Sequence, residues 1–260
     1  MTGWVGEPRR TPCGYFSDRA AVFEGALLVG APAAVTGALV DRGVRHFGNE
    51  YFRPLCPSCG LCLPLRVQAD RFTPTASQKR ALKKGLRFTA ALEDPVPARA
   101  AFELYRDHKT RFPGDAEEAV TYEAFVRTFF TPTEGHRVLT LREEGRLILV
   151  SHLDFLPRAL SAVYCYYDLD FLSFSPGTLA ILLELELAKR LGLSYLYLGY
   201  WISGHSHMDY KIRFYPNQLL LGGDSWYDYR DRGGDIVLDP GVPLRFHPET
   251  PLQEYFSIKE

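Results

Sequence analysis

The stretch from Ser161 to Trp201 restricts the fold more than any other part of the chain. Ser161–Tyr167 (SAVYCYY) is β-rich and predicts a strand. Ser175-Pro176-Gly177 then opens a helix over Thr178–Leu191, with proline in the first turn and Gly192 as C-cap. Tyr195–Trp201 follows as an aromatic-rich strand. Strand, crossover helix and strand form a βαβ unit, so the second half of the chain is α/β. Ahead of it, Ala98–Thr110 carries an amphipathic pattern (Ala101, Phe102, Leu104, Tyr105), and Tyr122–Phe130 predicts a second helix. Arg137–Leu141 and Leu147–Leu153, separated by REEGR, predict a hairpin, which makes the whole an α+β arrangement.

The first part of the chain reads differently. Residues 1–20 look irregular. Ala20–Val40, interrupted by Gly25, Gly30 and Gly37, predicts strands and turns rather than one helix. Gly43–Arg53 predicts a strand and turn, and Leu63–Val67 a strand. Thr75 or Ser77 caps a helix reaching Lys84 and closed by Gly85. Pro95 and Pro97 mark a boundary, giving a Cys-containing basic region over 1–94, an α/β domain over 95–235 and a tail over 236–260. Asp209–Tyr215 predicts a further helix.

Composition excludes several classes. With 260 residues, 46% hydrophobic and 23% charged, the chain is neither disordered nor of low complexity. Its longest apolar runs, 163–174 and 179–187, are broken by Asp168, Asp170, Glu184 and Glu186 and fall short of the roughly 20 residues of a membrane span. The N-terminus shows no apolar signal core, so a soluble, cytoplasmic protein is expected, with no membrane partner. The formal net charge of −1 hides an asymmetry. The first 90 residues hold 13 Lys/Arg against 6 Asp/Glu, and the remainder 17 against 25. A basic N-terminal part suits a polyanion.

Three of the five cysteines lie in LCPSCGLC, as Cys56-x2-Cys59-x2-Cys62, with Cys13 a distant fourth. Four thiolates suit zinc or an iron–sulfur cluster; equally, reduced cysteines around a tight turn would explain the spacing. Cys165, inside an apolar strand, reads as a core residue. Residues 66–88 (RVQADRFTPTASQKRALKKGLRF) hold seven basic residues, Arg66, Arg71, Lys79, Arg80, Lys83, Lys84 and Arg87, against Asp70 alone. Helical spacing puts Lys79, Arg80, Lys83 and Lys84 on one face, either for phosphates or simply solvated. Residues 196–214 (LYLGYWISGHSHMDYKIRF) gather hydroxyl and cationic groups at a strand's C-terminal end, where open α/β sheets bind ligands. His205, His207 and Asp209 mimic a metal site there, but a His-x-His in a Gly/Ser loop reads as solvated. There is no Gly-x-Ser-x-Gly, P-loop or GxGxxG.

The order helices, hairpin, strand, crossover helix, strand resembles the GNAT acyltransferase fold, although SFSPGT lacks the Gly-rich loop that cradles the CoA pyrophosphate, so no CoA is expected. Four blocks resemble the aminoacyl-tRNA–protein transferases, which comprise arginyltransferases and the bacterial aspartate/glutamate leucyltransferases. They are Pro12-Cys13-Gly14-Tyr15; GVRHFGNEYFRPLCPSCGLCLPLRV (43–67) with FTPTASQKRALKK; LYRDHKTRF (104–112); and residues 161–214. Phe16 stands where eukaryotic relatives carry a second cysteine. His205 and His207 stand where bacterial members show Cys and Lys. The resemblance implies a GNAT-like domain behind a cysteine-bearing basic region, and transfer of leucine or arginine from aminoacyl-tRNA to a protein N-terminus. That terminus would begin with Asp or Glu, and the product would enter the N-degron route of degradation. Cys13, Cys56, Cys59 and Cys62 match the region associated with an iron–sulfur cluster in some members. Two rivals stand beside it, a CoA-dependent GNAT enzyme and a metal-containing tRNA-binding protein without transferase activity.

For such a reaction an α-amine must lose a proton and attack an already activated ester, so orientation and oxyanion stabilisation suffice. The expected orienting groups or proton acceptors are Tyr200, Tyr210, Tyr166 and Asp168, and the expected clamp for an acidic acceptor is Lys211 or Arg213. Arg66, Lys79, Arg80, Lys83, Lys84 and Arg87 are the expected tRNA contacts.

Overall fold

A computed structural model describes residues 1–111, 120–223 and 225–255. Phe112, the last residue of the LYRDHKTRF block, and residues 256–260 of the tail lie outside the described residues. Two sheets organise the chain. The smaller is antiparallel, with spatial order β1 (Thr2–Pro12), β2 (Ala20–Val29), β4 (Glu50–Pro54) and β3 (Arg45–Phe47). Helix α1 (Ala33–Val40) replaces the strands and turns expected up to Val40. Gly30, at φ +66°, ends β2, and Pro32 then leads into a helix whose Leu39 packs with Leu28, Val44 and Tyr51. The uniformly apolar segment gave no periodicity by which to tell helix from strand.

The larger sheet has eight strands in the order β12 (Ser225–Arg230), β11 (Asn217–Leu221), β5 (Leu63–Gln68), β10 (Tyr195–Trp201), β9 (Ala159–Tyr167), β8 (Arg146–Leu156), β7 (His136–Glu143) and β6 (Thr89–Glu93). It therefore takes strands from both sides of residue 94. Helix α2 (Ala76–Gly85) begins at Thr75 with a full capping box, its side chain accepting from Gln78 N and the Gln78 side chain accepting from Thr75 N at 2.8 Å. Helices α3 (Arg99–Lys109) and α4 (Tyr122–Phe130) cover one face of the sheet, packing Ala101, Phe125 and Phe129 on Val138, Val150 and Tyr166. Helix α5 (Pro176–Arg190) covers the other with Leu179 and Ala180 on Leu141 and Leu149. The hairpin, strand, crossover helix and second strand all occur in the expected order. The helix expected from Asp209 is a short 3-10 turn, Asp209–Arg213. The tail folds back: Phe246 N donates to Gly60 O at 2.8 Å, and the Phe246 ring enters the main core.

The period-2 alternation of strands decides which side chains reach which layer. On β8, Val150 and His152 face α3 and α4, whereas Leu149 and Ser151 face α5. On β9, Tyr164 and Tyr166 join the α3–α4 aromatic cluster, and Cys165 and Tyr167 turn toward α5. Strands β9 and β10 are the parallel pair, registered only from Tyr195↔Ala159 to Tyr197↔Ser161. Beyond that point they part, and β10 bulges at Gly199, where φ is +72°.

Candidate active site

The parting of β9 and β10 opens a cavity of about 560 Å³. Its wall includes Ala162, Val163 and Cys165 of β9, Leu198 to Tyr200 of β10, Ala180, Ile181 and Glu184 of α5, and Met208, Tyr210 and Lys211 after β10. Tyr15, Arg45, His108 and Arg111 reach it from other elements. Leaving a parallel ladder open strands backbone groups, and Arg45 satisfies them. From β3 it enters the gap and donates to Ser161 Oγ at 3.1 Å, to Ala162 O and to Val163 O at 3.4 Å. A Cβ at position 199 would stand 3.3 Å from the Arg45 guanidinium, so the glycine serves both its positive φ and this close approach. The next residue anchors the strand on the other side: His46 Nε2 lies 2.8 Å from Asp154 Oδ2 on β8, and Nδ1 lies 2.9 Å from Gly48 O. The segment Gly43–Gly48 thus holds the cleft open.

Two sequence candidates meet in this cavity. Lys211 lines it, with Nζ donating to Tyr200 O at 3.2 Å; burial, and the nearby Arg45, bring its pKa down to about 7. Tyr210 lines it too, and burial raises its hydroxyl pKa, so it acts as a hydrogen-bond donor rather than a base. Tyr200 is in the wall, but its hydroxyl is committed to Gly43 O at 2.8 Å. The remaining catalytic candidates are elsewhere. Tyr166 is one residue out of phase with the cavity face of β9, and its hydroxyl lies 3.3 Å from His152 Nε2 in the α3–α4 layer. Asp168 caps a 3-10 turn (Leu169–Phe174), accepting from Asp170 N at 3.0 Å and pairing with Arg146. Arg213 is exposed, two residues past Lys211 at the end of the short 3-10 turn, and is not among the lining residues. Asp209 has a structural task, accepting from Trp201 Nε1 and Gly204 N at 3.1 Å each.

Sequence reasoning passed over Glu184, Ser151, Arg45, Arg111 and His108. Burial, with Arg111 adding to it, drives the His108 pKa down to about 4, leaving it neutral at pH 7. Arg111 donates to the Tyr167 hydroxyl. Glu184 is only 1% exposed, accepts from Ser151 Oγ at 2.7 Å, and has a pKa raised to about 7 by burial. A signal was present: Ala180, Glu184 and Ala188 recur at i, i+4 and i+8, the buried stripe of α5. Cys165, expected in the core, is half-buried in the cavity wall.

The basic candidates divide. Lys79, Arg80 and Lys84 are exposed on α2 together with Lys83, and none pairs with a carboxylate among the described residues. Lys84 Nζ reaches Ser173 O at 3.2 Å, and Arg87 pairs with Glu143. Arg66 is no surface contact. Its head group bonds Asp41 Oδ1 and Gln218 Oε1 at 2.7 Å each, between the Tyr195 and Trp226 rings. Both faces of β5 are covered, so Arg66 is buried whichever way alternation turns it.

Cys13, Cys56, Cys59 and Cys62 come to one locality. Burial, then the neighbouring Cys56, Cys13 and Cys59, push the Cys62 thiol up to about 12. Cys56 Sγ accepts from Val22 N at 3.3 Å, and Cys59 Sγ accepts from Arg19 at 3.5 Å. Among the described residues no group of three or more His, Cys, Asp or Glu side chains is disposed to hold a metal ion.

Comparison with known proteins adds the family. A model described as the C terminus of arginine-tRNA-protein transferase matches residues 100–221, and one for its N terminus matches residues 11–80. The aspartate/glutamate leucyltransferase of Teredinibacter turnerae is 35% identical over 219 residues, covering 82% of this chain and 89% of that protein. That of Campylobacter jejuni is 29% identical over 216 residues, covering 81% and 90%. The crystal structure of FemX aligns with a TM-score of 0.44 and 9% identity over 72% of this chain and 66% of that one. The two family models and the leucyltransferase relatives span both the cysteine-bearing region and the cleft. The chain belongs to the aminoacyl-tRNA–protein transferase family and is an aminoacyltransferase.

Proposed function

We propose that the protein moves leucine from leucyl-tRNA to the α-amino group of proteins that begin with Asp or Glu, tagging them for N-degron degradation in the cytoplasm. The observation that carries this reading is the charge inventory of the cavity. Arg45, Arg111 and Lys211 stand in or on its wall, against Glu184 as the one carboxylate among the described lining residues. Such a wall repels an arginyl guanidinium and attracts an acidic acceptor side chain. Ala180, Ile181, Leu172 and Leu198 offer a leucyl side chain apolar surface instead. The relatives named aspartate/glutamate leucyltransferases agree with this choice.

In the transfer the neutral amine attacks the ester carbonyl, and a C–N bond forms. The C–O bond to the tRNA ribose breaks, and the amine proton ends on the departing ribose oxygen. Tyr210, protonated and in the wall, is the group we assign to donating to the developing oxyanion. The deciding experiment offers separately charged leucyl- and arginyl-tRNA with peptides starting in Asp, Glu, Lys or Ala. Leucine transfer to Asp and Glu alone is the expected result; arginine transfer to those same peptides would overturn the donor assignment.

The exposed α2 face is assigned to the tRNA backbone. Replacing Lys79, Arg80, Lys83 and Lys84 by Ala should weaken binding of every aminoacyl-tRNA alike. The slope of log K against log salt should flatten by about 0.9 for each phosphate no longer neutralised. Unchanged affinity and slope would mark the face as merely solvated.

A zinc ion or iron–sulfur cluster at Cys13, Cys56, Cys59 and Cys62 rests on the donor set alone, four soft thiols in one locality. Protein purified without oxygen should then carry zinc or iron in constant ratio to the chain. Metal-free protein of full activity and unchanged melting temperature would end that assignment.

A further inference from the structure

Glu184 keeps one buried oxygen without a partner among the described residues. The side chain is 1% exposed, in the wall of the cleft, with Oε1 bonded to Ser151 Oγ at 2.7 Å. Oε2 is fully buried and has no hydrogen-bond partner among the described residues. Burying a carboxylate oxygen without a donor is costly, and the two remedies are protonation, toward which its pKa of about 7 inclines it, and a paired cation. The cations of the cleft are engaged elsewhere: Arg45 on Ser161, Ala162 and Val163, Arg111 on the Tyr167 hydroxyl, and Lys211 on the Tyr200 carbonyl. No donor among the described residues fills this place, and a ligand that did would be small enough to reach the α5 wall and would bring N–H donors.

We propose that Glu184, held in place by Ser151, is the docking group for a primary α-ammonium in the cleft. Both substrates of the transfer reading carry this group, the leucyl end of the donor and the N-terminus of the acceptor, and the inference rests on that reading for its ligand. Three N–H donors on one tetrahedral nitrogen match an orphaned carboxylate oxygen, with the Tyr210 hydroxyl also in the wall. The assignment also explains why a glutamate occupies a buried helix stripe where leucine would pack at lower cost.

The test uses the full chain and two small probes, leucinamide for the donor end and the dipeptide Asp-Ala amide for the acceptor end, each compared with its Nα-acetyl form by titration calorimetry. Wild type should prefer at least one free amine over its acetylated form. Glu184→Gln keeps the side-chain shape and the bond from Ser151. It should lose roughly 10- to 150-fold in affinity for that free amine and leave the acetylated form unaffected. The probe that suffers identifies which amine docks there. Ser151→Ala, which frees the carboxylate to turn, should reduce the same preference by a smaller factor, and it decides the matter if Glu184→Gln does not fold. Retention of the full preference in the variants, or no preference in wild type, overturns the proposal. If no aminoacyl-tRNA supports transfer, yet amine binding still depends on Glu184, the docking site stands and the transfer reading falls.

Discussion

Replacing Arg45 by alanine is expected to lower the melting temperature by roughly 6–20 °C and to abolish transfer. The guanidinium is the donor that lets β9 and β10 separate: without it Ser161 Oγ and the carbonyls of Ala162 and Val163 face the gap unpaired. Removing one partner of a half-buried charge-assisted network costs about 3–5 kcal/mol, and each kcal/mol moves Tm by about 2–4 °C in a chain of this size. The strands would relieve the loss by closing toward each other or by admitting water, and either change reshapes the cavity. Arg45→Lys keeps the charge but offers no planar fork, so it should recover part of the stability and little of the activity. Thermal unfolding followed by circular dichroism, beside a leucyl-transfer assay, reads both effects. An Arg45→Ala protein that melts with wild type would show that backbone pairing elsewhere holds the cleft.

Arg45 also shows where reading the sequence stops. Its segment, GVRHFG, stood inside a family-like block, yet spacing alone assigned it only to a strand and turn. The side chain acts on residues 116 and more positions away, a tertiary relation without local pattern. Elements with strong periodicity or caps were legible: Tyr122–Phe130 matches α4 at both ends, and the Thr75 cap and Gly192 stop occur as expected. The alternation that predicted β9 also carried the information that Tyr166 and Cys165 face opposite layers. Which layer holds the cavity depended on where α5 packs, and so Tyr166 was a reasonable but misplaced candidate. Arg66 was misread for the opposite reason. A basic residue in a basic stretch looked like surface, but β5 sits in the interior of the sheet, where Asp41 and two aromatic rings absorb the charge. Glu184 was seen only as an interruption of an apolar run. A charged residue on a buried helical stripe signals function because its burial is unfavourable without a partner.

The separation of Lys211 from Arg213 sharpens what is expected of the acceptor. Lys211→Met should reduce kcat/KM for peptides beginning with Asp or Glu by roughly 10- to 150-fold, the loss of one charge-assisted hydrogen bond of about 1.5–3 kcal/mol. Arg213→Ala should leave it unchanged, because that side chain is exposed and outside the cavity lining. Comparison with peptides beginning with Asn or Gln separates the clamp from general damage, since losing the Nζ bond to Tyr200 O would harm both classes alike. The depressed Lys211 pKa, about 7, adds a pH signature. A bound carboxylate favours the charged amine, so above pH 7 binding draws in a proton and weakens as pH rises. Deprotonation of the acceptor α-amine, whose free pKa is about 7.7–8.0, pushes the rate in the other direction but equally for Asp and Asn peptides. The ratio of the two kcat/KM values should therefore fall between about pH 6 and about pH 9 in wild type and stay flat in Lys211→Met. A flat ratio in wild type would mean that Lys211 holds only the β10 carbonyl. Acidic recognition would then pass to Arg45 or Arg111, both on the same wall and both carrying a guanidinium rather than an amine that titrates in that range.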